Sequence, residues 1–283
     1  MTQDMYAQTK GTQLLESIIE EVGPIFNIDE VRPLADKQGL TSQGLRWTLH
    51  SLSRSGWIAR IKRGVYAVQS PLFPEELHPF ALAAALANPM AISHWSALAH
   101  HGLTNQIPPM VQAMTPKKVV TPGMRQGGAT RPRGRAVWKV LDVEVEFIYI
   151  GKQRFFGFQQ EWVSRWHRVS ITDRERAFLD MVARPDIFGG LEIALETFEE
   201  HGDTFDHKQL VRYALRYDMG SVIKRLGWVL EEMGASTDLT DPLQEYEART
   251  YYPLDPSRCR SGPSVSRWQI INNLGAQKSN GDS

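Results

Sequence analysis

Apolar residues recur at helical spacing in the first segments of the chain. Between residues 12 and 22 this pattern predicts a helix that buries one face. A second, short helix is predicted to run to about Gln38, with Asn27 or Asp29 as its N-cap. Pro33 is expected in or near the first turn of this helix, where the missing backbone N–H costs little.

The third predicted helix begins at Thr41 or Ser42 and ends near Ser55. Its buried face is predicted from apolar residues at i, i+4 and i+7, which are Leu45, Leu49 and Leu52. Two β-prone runs follow at 57–61 and 65–68, and the glycine-containing turn between them predicts a hairpin. Three short helices followed by a hairpin are the order of elements in a winged helix-turn-helix.

The rest of the chain mixes helical and strand patterns. Helices are predicted at 80–87, 93–101, 173–183, 190–201, 206–217 and 221–233. A strand is expected at 111–120, and 137–150 alternates with a period of two. The predicted fold class is therefore α+β, with an N-terminal winged helix-turn-helix followed by a larger α+β domain. The predicted ranges are 1–70 for the winged helix-turn-helix domain, 71–78 for a linker, 79–240 for the α+β domain and 241–283 for a mostly irregular tail with a strand near 268–271.

Composition narrows the class of protein. The chain has 283 residues and 42% hydrophobic residues, which suits two globular domains. The single cysteine, Cys259, excludes an internal disulfide and indicates a reducing compartment. The first residues lack the pattern of a signal peptide, and the longest apolar stretch, 80–87, is too short to span a membrane. We therefore expect a soluble cytoplasmic protein with no membrane partner.

Charge is distributed unevenly along the chain, although lysine plus arginine and aspartate plus glutamate both number 32. Between Lys37 and Leu141 there are 13 basic residues and two acidic ones, Glu75 and Glu76, and the remainder carries the opposite excess. Such asymmetry indicates that one part of the chain meets a polyanion. The alternative is chance clustering of charges on solvated faces.

The outer face of the third helix has the chemistry of a DNA-contacting surface. It is expected to present Gln43, Arg46, Trp47, His50 and Arg54, with no carboxylate. Arginine can pair with guanine and glutamine with adenine at base edges in the major groove. Trp47 is open to two interpretations, since it can stack on a backbone sugar or pack against the second domain. Alternatively, the three helices and the hairpin form a solvated subdomain that mediates protein contacts.

Further candidate DNA contacts flank this helix. Thr41 and Ser42 suit phosphate contact because the free N–H groups and the dipole of a helix N-terminus favour an anion. Arg60, Lys62 and Arg63 crowd the predicted hairpin, where basic side chains add affinity without sequence information.

A second basic cluster lies in the second domain and consists of Lys117, Lys118, Arg125, Arg131, Arg133 and Arg135. The segment 121–134 is rich in glycine and proline and is expected to be a loop. Two hypotheses fit the cluster. It extends a non-specific DNA contact, or it docks an acidic or nucleotide-binding partner.

Enzyme interpretations are weaker, and we expect no catalytic activity, no cofactor and no metal site. Gly220-Ser221 with Glu231-Glu232 resembles a nucleotidyltransferase pattern, but the spacing places the glutamates on a helix. Asp142, Glu144 and Glu146 lack the spacing of a nuclease site and suit one half-exposed strand. His94, His100 and His101 lack the i, i+4 spacing of a helical zinc site, so buried or capping roles are expected.

Several blocks, in order, resemble the AbiEi-type antitoxin family. They are Gly56-Trp57-Ile58 with Lys62-Arg63-Gly64-Val65-Tyr66-Ala67, then 92–104, 172–180, 184–190 and 225–231, so that the resemblance spans about Gly39 to Gly234. It implies a transcriptional repressor that binds inverted repeats in its own promoter as double-stranded DNA, which requires two copies and hence a homodimer on DNA. It also implies an antitoxin of a type IV toxin–antitoxin system that counteracts a nucleotidyltransferase-like toxin, without the need for a stable complex. The alternatives are a winged-helix adaptor that binds protein and an orphan regulator without a toxin partner.

Overall fold

The structure is a computed structural model that describes residues 10–125 and 135–275. Its N-terminal part contains, in chain order, α1 (Lys10–Glu21), β1 (Ile25–Asn27), α2 (Ile28–Lys37), α3 (Ser42–Arg54), β2 (Ile58–Lys62) and β3 (Val65–Val68). The strands form an antiparallel sheet in the order β1-β3-β2. The three predicted helices and the hairpin are confirmed. Strand β1 was not predicted, because three residues are too few to show a period.

The start of α2 corrects the expected place of its proline. Asn27 is the N-cap, and it forms a capping box in which its own backbone N–H donates to the Glu30 side chain at 2.8 Å. Helix α2 therefore begins at Ile28, and Pro33 lies inside the helix rather than in its first turn. Because Asn27 rather than Asp29 is the N-cap, α2 begins two residues earlier than a position of Pro33 near the first turn would require.

The winged-helix sheet is buried on both faces. Phe26, Ile58 and Val68 belong to the core formed with α1, α2 and α3. Ile61, Val65 and Ala67 belong instead to the core of the second domain. One small sheet therefore joins the hydrophobic cores of both domains.

The second domain is built around a six-stranded mixed sheet in the order β6-β7-β5-β4-β9-β8. Its strands are β4 (Ala91–Ile92), β5 (Val111–Thr115), β6 (Arg135–Val140), β7 (Val143–Tyr149), β8 (Phe158–Trp162) and β9 (Arg168–Thr172). Its helices are α4 (Pro79–Leu86), α5 (His94–His100), α6 (Pro122–Arg125), α7 (Arg174–Ala183), α8 (Pro185–Phe188), α9 (Glu192–His201), α10 (His207–Tyr217) and α11 (Gly220–Glu232). The mixed helix and sheet content confirms the α+β class.

Two strand predictions need correction. The alternating segment 137–150 is not one strand but the hairpin β6–β7, which turns at Leu141 with a φ of 51°. The segment 111–120 forms a strand only to Thr115. The sequence does not predict strands β8 and β9, because polar residues on both faces of these strands obscure the alternation of apolar and polar side chains.

The C-terminal segment packs onto the second domain. It contains α12 (Thr237–Gln244) and a small sheet of β10 (Tyr252–Pro253), β11 (Ser264–Val265) and β12 (Ile270–Ile271). Trp268 is buried, and its ring occupies the space where a Cβ on Gly227 of α11 would lie. The domain and tail ranges given above stay predictions.

A second contact between the domains involves the turn of the β8–β9 hairpin. The ring of Trp166 lies 5.1 Å from that of Phe73 and packs on the backbone of Gly23. Beside it, Arg165 forms an ion pair of 3.3 Å with Glu75. The winged-helix domain therefore contacts the second domain at two places, through its sheet and through the β8–β9 turn.

Within 10–125 and 135–275, no helix combines the length and the apolar character that crossing a membrane requires.

Candidate nucleic-acid interface

Helix α3 separates its apolar and polar residues onto opposite faces. Thr41 is its N-cap, and the Oγ1 atom accepts the Gly44 N–H at 3.1 Å. Leu45, Leu49 and Leu52 are buried, as the spacing predicts. The position of α3 is fixed by these three leucines, which leaves the opposite face to solvent.

Every predicted contact residue on the outer face of α3 is exposed. These residues are Gln43, Arg46, Trp47, His50 and Arg54. Trp47 is 65% exposed and meets His50 edge to face at 6.3 Å, so it does not pack against the second domain. Among residues 10–125 and 135–275, neither Arg46 nor Arg54 has an ion-pair partner, so both guanidinium groups are available to a ligand.

The wing is a short, tightly anchored turn. Gly64 has a φ of 76°, a conformation that favours glycine, and its carbonyl accepts the Ile28 N–H at 2.8 Å. Arg60 and Arg63 are exposed beside this turn. The wing therefore presents two arginines from a backbone that is fixed to the start of α2.

Lys62 has a different position from the one expected. Its Nζ donates to the Leu86 carbonyl at the end of α4 at 3.1 Å, and burial lowers the pKa of the ammonium. The strand bulge between Arg60 and Lys62 separates the directions of these two neighbours. Lys62 thus ties the wing to the second domain, whereas it was predicted to reach DNA.

The second basic cluster is only partly available to a ligand. Lys117, Lys118 and Arg125 are exposed. Arg131 and Arg133 lie outside the described residues. Arg135 differs from the expectation, because its Nε and Nη2 donate to Glu146 at 2.8 Å each. Its charge is therefore engaged by a carboxylate of the same domain.

Glu146 is buried although its place in the alternation predicted a solvent-facing side chain. Strand β7 lies between β6 and β5, and Glu146 is 0% exposed. Besides Arg135, it accepts a hydrogen bond from Gln112 Nε2 at 2.9 Å. A buried carboxylate requires such partners. The sequence contains no pattern that separates this residue from the half-buried Glu144 on the same strand.

The three histidines of α5 and its C-terminal end have separate structural partners. His94 is buried, and its Nδ1 lies 2.8 Å from Ser93 Oγ. His100 pairs with Glu161 at 2.7 Å, and His101 Nε2 lies 2.6 Å from the Thr172 carbonyl. Within the described ranges, no three histidine, cysteine or acidic side chains are placed to hold a metal ion.

His94 gives a prediction for pH dependence. Burial lowers its pKa from 6.5 to about 4, an effect that Asp180 opposes and Arg184 reinforces. Because the folded pKa is depressed, the neutral imidazole contributes fully above pH 6.5, and its contribution is lost as pH falls toward 4. We expect a loss of about 3 kcal/mol in unfolding free energy across this window from His94.

Urea unfolding of wild type and His94→Asn across that window measures the effect. Asparagine is the suitable replacement because it tolerates the φ of 54° found at this position. The variant should show a shallower pH dependence. Identical pH dependence in both proteins would contradict a neutral, buried His94.

The residues considered for catalysis lie on α11 and on the β6–β7 hairpin. Gly220 and Glu231 belong to one helix, α11, and Glu231 forms an ion pair of 3.0 Å with Arg267. Asp142 is exposed in the β6–β7 turn, Glu144 is half-buried near the start of β7, and Glu146 is buried and paired with Arg135. The three carboxylates therefore differ in exposure and in their partners.

The three helices and the hairpin define the N-terminal domain as a winged helix, and its α3 presents an exposed face with two arginines and no carboxylate. Residues 13–69 match the model of a family described as "Transcriptional regulator, AbiEi antitoxin". The N-terminal domain is thus of the AbiEi antitoxin regulator type, and this confirms the resemblance noted in the sequence for that part of the chain.

A solved structure has a similar fold over both domains. No curated protein matches the sequence. The crystal structure of the RV2827C protein from Mycobacterium tuberculosis is similar, with a TM-score of 0.62 over 92% of this chain and 90% of that chain. The two sequences are 14% identical, so the likeness shows a shared fold across both domains.

Proposed function

We propose that this protein is a transcriptional repressor and antitoxin that binds inverted repeats in its own promoter. The observation that carries the proposal is the exposed, carboxylate-free face of α3 within a domain that matches the AbiEi regulators. On this proposal the protein is not an enzyme. It counteracts a nucleotidyltransferase-like toxin, and the second domain provides that antitoxin function.

Base recognition is assigned to α3. Arg46 and Arg54 can each donate two hydrogen bonds to one guanine, and Gln43 can pair with adenine. Thr41 and Ser42 bring the N-terminus of α3 toward a phosphate, where free N–H groups favour an anion. Arg60 and Arg63 contact the backbone from the wing, which adds affinity without sequence information. Because the operator is an inverted repeat, two copies bind, one to each half-site.

A mobility-shift assay with the duplex directly upstream of the coding sequence tests the repressor function. Wild type should bind this duplex more tightly than a mixed-sequence duplex of equal length. Co-expression with the product of the adjoining gene tests the antitoxin function, since the protein should restore growth. Equal affinity for both duplexes would point to a winged helix that binds protein.

Gly44 offers a further test of the docking of α3. A Cβ at this position would lie 3.4 Å from Thr41 Oγ1, so alanine fits the folded chain. We expect Gly44→Ala to raise the unfolding free energy by about 0.5–1 kcal/mol, because alanine favours a helix. The same variant should bind the upstream duplex less tightly, since the added methyl group lies near the N-terminus of α3, where the sugar-phosphate backbone approaches. Tighter or unchanged DNA binding, measured beside thermal unfolding, would contradict this placement.

A further inference from the structure

Basic residues of the two domains meet at the C-terminal end of α4. Lys62 from the wing donates to the Leu86 carbonyl at 3.1 Å. Lys117 from the second domain donates to the Asn88 carbonyl at 2.7 Å. The two carbonyls are only two residues apart in the chain, so the segment that follows β5 lies directly beside the wing.

The topology of the second sheet holds this arrangement in place. Strands β5 and β7 run parallel and end together, with Thr115 opposite Tyr149. Strand β4 runs antiparallel to β5 and therefore begins at the same edge, where Thr115 Oγ1 donates to the Pro89 carbonyl at 2.7 Å. Lys117 and Lys118 follow β5 after one intervening residue, Pro116. Their position next to the wing is thus set by strand register and not by a free loop.

The exposed charges on the wing and on the segment after β5 are all positive. Arg60 and Arg63 on the wing and Lys117 and Lys118 on the second domain are exposed. The sequence has no acidic residue from Lys37 to Pro74 or from Leu77 to Leu141. The carboxylate of Glu146 in β7 is buried and held by Arg135, so it does not offset these charges at the surface.

We propose that Arg60, Arg63, Lys117 and Lys118 form one surface that binds the phosphate backbone of duplex DNA, so that the second domain contacts DNA beside the wing. This proposal rests on the proposed DNA-binding function and extends it to a site in the second domain. Duplex DNA carries a charge about every 1.7 Å along its axis, so basic side chains on the wing and on the second domain can contact successive phosphates. An acidic protein partner would not require the cluster to adjoin the wing.

The salt dependence of binding to a mixed-sequence duplex tests the surface independently of any operator. Each lost phosphate contact reduces the slope of log affinity against log salt by about 0.9. We expect Lys117→Ala with Lys118→Ala to reduce the slope by about two and to weaken binding at low salt by more than about tenfold. The matched control is Lys139→Ala with Lys208→Ala, which removes the same charge from two exposed lysines elsewhere in the second domain. It should leave the slope nearly unchanged.

The outcomes separate this surface from the proposed repressor function. Lys118→Ala alone should lower the slope by about one, and Lys118 has no side-chain hydrogen bond or ion pair within the described residues that its loss could disturb. An unchanged slope in this variant and in the double variant would overturn the proposal and favour a protein partner for the cluster. A lowered slope in a protein that does not prefer its upstream duplex would retain the surface and reject the repressor function.

Discussion

Replacing Arg46 and Arg54 together by alanine is expected to weaken binding to the upstream duplex by about a hundredfold or more, since each bidentate contact with guanine contributes about 1–3 kcal/mol. Both side chains are exposed on α3 and free of ion pairs within the described residues, so their loss should leave folding intact. Fluorescence anisotropy with the upstream and the mixed-sequence duplex measures the change. The preference for the upstream duplex should fall together with the affinity.

The comparison variants separate base recognition from charge. Arg32→Ala with Arg249→Ala removes two exposed arginines, of which Arg32 is paired with Asp29 on α2. This control should retain the preference for the upstream duplex. Arg63→Ala should weaken binding to both duplexes alike, because a wing contact to phosphate does not distinguish sequences. A preserved preference in the Arg46 and Arg54 double variant would refute base recognition by α3.

The second large effect concerns the interior of the second domain. Arg176 and Asp180 form an ion pair of 2.9 Å on α7 with exposed fractions of 0% and 2%. Arg176 Nη1 also donates to the Arg154 and Phe156 carbonyls at 2.8 and 2.9 Å. Asp180→Ala would leave this guanidinium buried without its carboxylate. We expect a loss of about 3–5 kcal/mol in unfolding free energy, measured by urea denaturation.

Replacement of both partners provides the matched control. Arg176→Met with Asp180→Leu removes both charges, so the double variant should be more stable than Asp180→Ala. Asp180 Oδ2 is buried and accepts no hydrogen bond within the described residues, which limits what the pair contributes in the wild type. If the double variant is as unstable as Asp180→Ala, packing rather than an uncompensated charge explains the loss.

The sequence was sufficient to predict the winged helix and its outer face. The apolar spacing of Leu45, Leu49 and Leu52 determines which side of α3 is buried, and the polar residues on the other side follow from helix geometry. The local caps and the glycine of the wing turn are also visible in the sequence. These features depend on residues a few positions apart.

The features that the sequence did not predict depend on distant partners. The direction of Lys62 is determined by the Leu86 carbonyl, and the burial of Glu146 by its place between two other strands. Lys62 has the same residue type as the exposed Lys118, and Glu146 has the same residue type as the half-buried Glu144 on its own strand. Only the tertiary arrangement distinguishes these residues. A sequence pattern therefore predicts an exposed side chain for every lysine or glutamate in such a position, including Lys62 and Glu146.

The shared sheet of the winged helix has a consequence for operator architecture. Ile61, Val65 and Ala67 pack into the second domain, so α3 is not attached by a swinging tether. In a tethered arrangement, linker length would let one protein tolerate half-sites at many separations. In the proposed complex of two copies on one operator, the packing of each α3 domain onto its own second domain would limit the half-site separations that the pair can span. A change of one or two base pairs between the half-sites would also rotate them around the helix axis, which a rigid pair of subunits does not follow.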